Sequence, residues 1–264
     1  MVTNVLYLGR VAYGTALDLQ RTLQGLRKAG RIENTLLLLE HPPVITLGRN
    51  AKLDNVLAPP EFLAQRGVEL FEIDRGGDVT FHGPGQLIAY PIFDLRTFDP
   101  KVGAVEYVRR LEEVLIRTCG DFGIGTQRIK GLTGVWTYAM PKKPEAKIAA
   151  IGVHISRSVT THGFALNVST DLDFFSLIMP CGITNKPVTS MERELQKSLT
   201  LEDVATAASR NFGRVFNTQM LWLESMDDLL AQAAETPANP ANQDTPAKPS
   251  KELRGLHGDG SELA

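Results

Sequence analysis

The sequence predicts an α+β fold in which a mixed, largely antiparallel sheet is flanked by helices. Amphipathic helical patterns are few and widely spaced, and several runs of β-branched and aromatic residues follow one another without a helix between them. This grouping differs from the regular alternation of strands and helices that is typical of parallel sheets. With 43% hydrophobic and 22% charged residues among 264, the composition excludes wholesale disorder and a fibrous repeat.

Four segments are predicted to be helical. Residues 16–26 follow a short first strand and place leucines on one face, with Gly30 as a stop signal. Residues 59–65 begin with proline, which suits the first turn of a helix. Residues 105–119 keep apolar side chains on one face and charged side chains on the other. Residues 200–216 form the last predicted helix.

Strands are predicted where apolar, β-branched and aromatic residues cluster between turn signals. The first two of them are separated by His41-Pro-Pro43, and they could also form one interrupted strand. The predicted strands cover residues 35–40, 44–47, 68–73, 131–138, 147–156 and 163–168.

The charges nearly balance, with 28 Lys and Arg against 30 Asp and Glu and a net charge of −2. A chain with so small a net charge is not expected to bind nucleic acid or anionic lipid strongly and nonspecifically. The longest aliphatic cluster, residues 36–39, is too short to span a bilayer, and the N-terminus lacks the pattern of a signal peptide. Because the chain has only two cysteines, no disulfide framework is expected. We therefore predict a cytoplasmic protein.

The composition changes near residue 231. From there to residue 264 the chain contains four prolines among small and polar residues and hardly any large apolar side chains. This segment carries three basic and five acidic side chains, so the acidic excess of the chain lies within it. We predict one folded domain over residues 1–230 and a disordered tail over residues 231–264.

The densest unusual segment covers residues 75–86 and reads Arg-Gly-Gly-Asp-Val-Thr-Phe-His-Gly-Pro-Gly-Gln. Glycine has no β-carbon, so this backbone can approach a ligand closely. The same residues could form two tight turns that flank a strand. Against that simpler interpretation, Arg75, Thr80, His82 and Gln86 bring polar groups to the same stretch. The segment has neither the phosphate-loop signature nor the dinucleotide-binding fingerprint.

A second candidate segment begins at Lys147 and continues as Ile-Ala-Ala-Ile-Gly152. The small residues after the lysine would let its ammonium group reach a cavity, although a lysine at a strand end is more often a solvated edge residue. His154 and His162 follow, and each of them taken singly is more often a hydrogen-bonded structural residue than a catalyst.

The two cysteines have different sequence settings. Cys119 lies on the apolar face of a predicted helix and is expected to be a small buried hydrophobe. Cys181 lies between proline and glycine, in a sharp turn where a nucleophile can be both exposed and held. A thiol with a reference pKa of about 8.5 needs a nearby cation or base to react as a thiolate. Lys147 could be that cation or base, under the hypothesis that the fold brings it close to Cys181.

Neither a metal site nor a cofactor is predicted. His82, His154, His162 and Cys181 would suffice in number for zinc. However, no Cys-x-x-Cys or His-Glu-x-x-His pairing fixes their geometry.

Taken together, four segments resemble the signature segments of the octanoyltransferases of lipoate biosynthesis, a family of the biotin and lipoate protein ligase superfamily. Each segment alone is weak, but four in the right order are specific, and the resemblance runs from about residue 6 to residue 216. The segments are residues 75–86, Lys147-Ile-Ala-Ala-Ile-Gly152, His162-Gly-Phe-Ala-Leu-Asn-Val168 and Pro180-Cys-Gly-Ile183.

The resemblance implies a ligase-like fold whose mixed sheet holds an acyl-chain tunnel. It also implies that an octanoyl group moves from the thioester of octanoyl-acyl carrier protein to the ε-amine of a lysine on a lipoyl domain. The implied acceptors are lipoyl domains of 2-oxoacid dehydrogenases and the glycine-cleavage H protein. Cys181 would be the acyl-thioester nucleophile, and Lys147 would lower its pKa and shuttle protons.

The resemblance further assigns substrate binding to three short segments. The residues that it names are Arg75, Gly76, Gly77, Asp78, Val79, Thr80, Phe81, His82, Ala150, Ile151, Gly152, Gly163, Phe164 and Ala165.

Two other functions stay open at this point. An ATP-dependent lipoate or biotin protein ligase on the same fold would use a free acid and need no cysteine. A noncatalytic fatty-acyl-binding protein would hold the chain without transferring it, which leaves Cys181 and Lys147 unexplained.

Acyl carrier protein is acidic, so a monomeric transferase is expected to offer it a local basic face. The side chains available for such a face are Arg109, Arg110, Arg117, Arg128, Lys130, Lys142 and Lys143.

Overall fold

The computed structural model describes residues 1–141, 143–179 and 187–236. The strands are β1 (Val2–Arg10), β2 (Asn34–Glu40), β3 (Val44–Leu47), β4 (Glu69–Glu72), β5 (Val79–His82), β6 (Gln86–Ile92), β7 (Thr126–Ile129), β8 (Leu132–Thr137), β9 (Lys147–Ser156), β10 (Val159–Asn167) and β11 (Gln219–Trp222). The helices are α1 (Tyr13–Lys28), α2 (Pro60–Gln65), α3 (Ala104–Asp121), α4 (Met191–Leu195), α5 (Leu201–Phe216) and α6 (Met226–Glu235).

Eight of these strands form one mixed sheet with the order β11-β1-β2-β6-β10-β9-β8-β7. Strand β1 runs parallel to β2 and to β11, and the other neighbours in this sheet pair antiparallel. A second sheet has the order β4-β3-β5. The predicted α+β class, with a mixed and largely antiparallel sheet, is confirmed.

Helices cover both faces of the large sheet. Helices α3 and α5 pack on one face, and α1 and α6 pack on the other. The aliphatic run of β2 serves both layers, since Leu36 and Leu38 join the first core while Leu37 and Leu39 join the second. A strand buried on both faces has no need for polar alternation, which explains why this run is continuous.

The structure differs from the prediction at several element bounds. Strand β9 has the predicted bounds, and β5 is the strand that the two-turn interpretation of residues 75–86 predicts. Strands β6, β7 and β11 and helices α4 and α6 were not predicted. Helix α6 starts at a capping box formed by Ser225 and Asp228 and ends at Glu235, five residues beyond the predicted end of the domain. Its Ala233 is buried against the second core.

Within residues 1–141, 143–179 and 187–236, no helix is both long and apolar enough to cross a membrane.

Candidate functional site

A cavity of about 490 Å³ is lined by residues from both sheets. This volume lies in the range of small-molecule sites, which are typically about 300–1,000 Å³. Strands β6, β9 and β10 contribute from the large sheet, and β5 contributes from the small one. The glycine-rich segment and the lysine strand, distant in sequence, therefore face the same space.

Small residues from paired strands form the floor of this cavity. Ala150 and Gly152 of β9 lie directly opposite Ala165 and Gly163 of β10, and all four line the cavity. Larger side chains at these positions would fill the space above the sheet. The space above the floor is empty because both neighbouring cross-strand pairs consist of glycine or alanine.

The two glycines of the floor also permit close backbone approach. A β-carbon at Gly152 would lie 2.8 Å from the carbonyl oxygen of Gly76, and one at Gly163 would overlap the carbonyl oxygen of Ala89. Glycine is therefore required at both positions for packing, apart from any contact with a ligand.

Arg75 anchors the glycine-rich segment at one end of the cavity. Its side chain is buried, and its Nη2 donates to the carbonyl oxygen of Thr46 at 2.7 Å. The next residue, Gly76, donates its backbone N–H to the carbonyl oxygen of Val153 at 3.0 Å. These bonds tie the segment to β3 and β9, so its position over the floor is fixed.

Twelve of the fourteen residues that the resemblance assigns to substrate binding line the cavity. Gly76 and Phe81 do not. Gly76 is engaged with β9 through its backbone, and the Phe81 ring stacks on Phe174 at a centroid distance of 4.7 Å.

A buried chain of hydrogen bonds fixes the tautomer of His82. Gln86 Nε2 donates to Asn167 Oδ1 at 2.8 Å and to the carbonyl oxygen of Phe81 at 3.3 Å, so Gln86 Oε1 is the acceptor for His82 Nδ1, 2.8 Å away. Burial and the neighbouring His41 lower the pKa of His82 to about 3. His82 is thus a neutral imidazole with its proton on Nδ1.

Lys147 lies where β9 enters the sheet and lines the cavity. Its backbone N–H donates to the carbonyl oxygen of Pro187 at 2.8 Å, and its carbonyl oxygen accepts from the N–H of Thr189 at 2.9 Å. Residues 187–189, which come after the predicted nucleophile in the sequence, therefore lie beside Lys147. Cys181 itself lies outside the described residues.

A β-bulge separates Lys147 from the cavity floor. Val135 of β8 pairs with Ala149, but the next residue, Trp136, pairs with Lys147, so Ile148 is one extra residue in β9. Strict alternation would place Lys147 and Ala150 on opposite faces of the strand. The bulge explains why both line one cavity, and such bulges are common beside active sites.

The two predicted structural histidines both have partners. His162 Nε2 lies 2.9 Å from Asp74 Oδ1, and His154 Nδ1 lies 2.7 Å from Arg49 Nη2. Burial lowers the pKa of His162 even though Asp74 favours its charged form. His162 also has a left-handed φ of 56°, and such strain in a non-glycine residue is common at functional sites.

Cys119 is buried in the first core, and burial raises its pKa to about 12, so the prediction of a small buried hydrophobe is confirmed. In the described parts of the chain, no group of three His, Cys, Asp or Glu side chains is arranged to hold a metal ion.

Most of the side chains proposed for a basic docking face are paired with carboxylates. Arg109 and Arg128 bind Glu112, Arg110 binds Glu106, Arg117 binds Glu113, and Lys143 binds Glu194. Lys142 lies outside the described residues. Lys130 precedes Gly131 and Leu132, which line the cavity, so it is the member of the set closest in sequence to the cavity rim.

Several cavity-lining residues were missed in the sequence. They include aromatic and branched side chains that enclose the space above the floor: Tyr13, Ile88, Tyr90, Leu132, Trp136, Phe175 and Val188. One signal was available, because Gln86, Ile88 and Tyr90 alternate as the inward-facing residues of a strand should.

Comparisons with known proteins agree with this architecture. The family described as the lipoyl protein ligase A/B catalytic domain matches residues 12–213. The chain is 64% identical to an octanoyltransferase of Koribacter versatilis over 256 residues, which is 97% of each chain. It is 61% identical to an octanoyltransferase of Acidobacterium capsulatum, covering 89% of this chain and 98% of that one.

Solved structures share the fold at low sequence identity. A lipoate-protein ligase A bound with ATP superposes with a TM-score of 0.69 at 15% identity, covering 89% of this chain and 94% of that one. A bipartite lipoate protein ligase from Thermoplasma acidophilum gives a TM-score of 0.68 at 16% identity, covering 89% and 92%. The ligase-like fold is confirmed. On the family match and the close relatives, this chain belongs to the lipoyl protein ligase A/B catalytic domain family and, within it, to the octanoyltransferases, which are acyltransferase enzymes.

Proposed function

We propose that this enzyme transfers an octanoyl group from octanoyl-acyl carrier protein to a lysine ε-amine on lipoyl domains, through a thioester on Cys181. The observation that carries the proposal is a cavity that has a floor of small residues and is also lined by Lys147, with residues 187–189 beside that lysine. The donor and the acceptors are those that the family resemblance implies. The sequence identity to octanoyltransferases supports octanoyl as the transferred group.

In the first half-reaction, the Lys147 amine takes the proton of the Cys181 thiol. The thiolate attacks the octanoyl carbonyl carbon, a C–S bond to Cys181 forms, and the C–S bond to phosphopantetheine breaks. The departing thiolate receives the proton from Lys147. Because one thioester replaces another, the acyl group stays activated and no ATP is needed.

In the second half-reaction, the acceptor amine attacks the thioester on Cys181. A C–N bond forms, the C–S bond breaks, and the proton lost by the amine passes through Lys147 to the Cys181 sulfur. Both side chains return to their starting protonation states. Lys147 therefore acts as base and acid in each half-reaction.

The tetrahedral intermediates need hydrogen-bond donors for their oxyanion. Backbone N–H groups of Gly76, Gly77 and Gly163 are near the cavity. The N–H of Gly76 already donates to the carbonyl oxygen of Val153, so we favour Gly77 over Gly76 for this role, with Gly163 as a second candidate.

The floor provides the site for the acyl chain. Each buried methylene contributes about 0.8 kcal/mol, so an eight-carbon chain can gain several kcal/mol from the apolar lining. The substrate-binding residues that we propose are the twelve that line this cavity.

We propose that the acceptors include lipoyl domains of 2-oxoacid dehydrogenases and the glycine-cleavage H protein, and that the enzyme acts as a monomer. A cytoplasmic, reducing compartment would keep a nucleophilic Cys181 in its thiol form.

The test compares two donors with a purified apo lipoyl domain as acceptor. Octanoyl-acyl carrier protein should support octanoylation of the domain without ATP, and octanoate plus ATP should not. Activity only with octanoate and ATP would favour a ligase. Binding of octanoate with no transfer from either donor would favour an acyl-binding protein.

A further inference from the structure

The half-buried side chain of Lys147 packs against one face of β8. Gly134 and Trp136 are two residues apart in that strand, so they belong to the same face. A β-carbon at Gly134 would lie 3.0 Å from Lys147 Cε, and the Lys147 Nζ lies 5.1 Å from the Trp136 ring centroid. The glycine leaves room for the aliphatic stem, and the indole ring lies under the ammonium group.

The position of Gly134 is itself fixed from two sides. It has a φ of 117°, and a β-carbon there would lie 2.6 Å from the carbonyl oxygen of Ala149. Its backbone N–H donates at 3.3 Å to Oε1 of Glu112, a completely buried carboxylate on α3. Glu112 also binds Arg109 and Arg128, so helix α3 anchors this point of β8.

We propose that Gly134 and Trp136 form a slot that sets both the position and the protonation of the Lys147 amine, with Trp136 as a positioning residue. The inference rests on the proposed function, because it assigns the slot to the proton-transfer group. An ammonium held within about 6 Å of an indole centroid is attracted by the ring quadrupole, more strongly where water is excluded. The Trp136 side chain is buried, so this attraction favours the charged form of Lys147.

The slot also has a role in the reaction. After Lys147 takes the Cys181 proton, it must stay protonated until the leaving thiolate forms and accepts that proton. An amine without cation stabilisation would be a weaker base in an apolar cavity. By stabilising the ammonium form, Trp136 holds the proton on Lys147 between its transfer from Cys181 and its delivery to the leaving thiolate.

The test measures the Lys147 pKa without using octanoyl transfer. Acetic anhydride labelling at a series of pH values, read by mass spectrometry of the Lys147 peptide, gives the titration of that amine. We expect Trp136→Phe to lower the Lys147 pKa by about 0.5 unit and Trp136→Leu by about 1 unit, because a cation–π contact contributes about 0.5–2 kcal/mol. The Lys143 peptide of the same samples, whose amine binds Glu194, serves as an internal reference and should not shift.

A second pair of variants tests the slot if the Trp136 variants fold poorly. Gly134→Ala should displace the amine and lower kcat about 10- to 100-fold with little change in KM. Gly123→Ala is the matched control, because Gly123 also has a positive φ, 83°, but its β-carbon would meet no atom within 4 Å. That variant should retain kcat.

The outcomes separate the slot from the proposed function. An unchanged Lys147 titration in both Trp136 variants, with transfer intact in the wild type, would overturn the slot and leave the function standing. A graded Lys147 shift in a protein without octanoyl transfer would support the slot and refute the function. Equal kcat losses in Gly134→Ala and Gly123→Ala would also count against the slot.

Discussion

Asn167 Nδ2 donates a hydrogen bond to the carbonyl oxygen of Thr189 at 3.0 Å, which joins the end of β10 to the segment beside Lys147. Thr189 in turn donates its N–H to the carbonyl oxygen of Lys147. On the other side, Asn167 Oδ1 accepts from Gln86, which fixes His82. One buried amide therefore links the glycine-rich segment to the proposed proton-transfer group.

Asn167→Asp should reduce transfer by displacing this segment. The new carboxylate oxygen would face the Thr189 carbonyl oxygen, and leaving a buried acceptor unsatisfied costs about 1–3 kcal/mol. We expect kcat to fall about tenfold, measured as transfer to an apo lipoyl domain.

Asn211→Asp is the matched control for that variant. Asn211 is buried and donates from Nδ2 to Asp121 between α5 and α3, away from the cavity. It should lose stability but retain kcat in the folded protein. Normal kcat in Asn167→Asp would show that the link has no role in transfer.

Ala165→Leu should shift the preferred chain length downward. Because of the bulge, Ala150 lies only about two regular strand rises from Lys147, about 7 Å at about 3.4 Å per residue, and Ala165 pairs with it. An extended octanoyl chain spans about 9 Å, with a rise of about 1.25 Å per C–C bond. Its last carbons would therefore lie above this pair of alanines.

Leucine would occupy the space of about three carbons of the acyl chain. Without their burial, binding of the chain weakens by about 2.4 kcal/mol, at about 0.8 kcal/mol per methylene. We expect kcat/KM for octanoyl donors to fall about 50-fold, while butanoyl donors change less than threefold. Ala64→Leu, at an exposed position on α2, should leave the chain-length profile unchanged. An equal loss for both chain lengths in Ala165→Leu would refute the placement of the chain end.

His41 should make the fold sensitive to acid. Its Nδ1 lies 2.6 Å from the carbonyl oxygen of Val11 and its Nε2 lies 2.8 Å from the Tyr90 hydroxyl, and burial lowers its pKa to about 4. Because the folded pKa is below the unfolded value of about 6.5, the unfolded state binds more protons between these values. Stability from His41 is therefore present above pH 6.5 and is lost as the pH falls towards 4.

Urea unfolding at pH 7, 6, 5 and 4.5 checks this effect. Because of His41, the wild type should lose up to about 1.4 kcal/mol of unfolding free energy for each pH unit in this window. His41→Asn should lack this part of the loss. Tyr90→Phe removes a partner without removing the titrating group, so it should keep the wild-type slope. Identical slopes for the wild type and His41→Asn would contradict the prediction.

Glu112→Gln should destabilise the fold more than Glu113→Gln. Glu112 is buried, binds Arg109 and Arg128, and accepts from Gly134, whereas the Glu113 side chain is 33% exposed. Loss of a buried charged partner lowers the free energy of unfolding by about 1–3 kcal/mol, and loss of an exposed ion pair lowers it by less than about 1 kcal/mol. Urea unfolding of both variants measures the difference, and equal losses would refute a special role for Glu112.

The sequence predicted the elements whose patterns are local. Strand β9 was found because its apolar and small residues lie between clear turn signals, and α3 because its apolar face repeats with a helical period. Strand β6 was missed since it contains Pro91, which sequence rules place outside central strands. The structure accommodates the ring because the neighbouring Gly163 has no side chain: a β-carbon there would lie 2.7 Å from Pro91 Cδ.

The site was predicted where motifs mark it and missed where it depends on long-range contacts. The glycine-rich segment and Lys147 carry recognisable motifs, so most of the assigned residues line the cavity. Trp136 was not singled out, because only pairing across the bulge of β9 brings it to Lys147. Glu112 could have been noticed, since it lies four residues from both Val108 and Ile116 on the apolar side of α3.

The covalent mechanism is tested by the intact mass of the enzyme after exposure to octanoyl-acyl carrier protein without acceptor. We expect one octanoyl increment on the wild type, mapped to Cys181 and released when an apo lipoyl domain is added. Cys181→Ala should show neither the increment nor transfer. Transfer by Cys181→Ala at the wild-type rate would contradict the covalent mechanism.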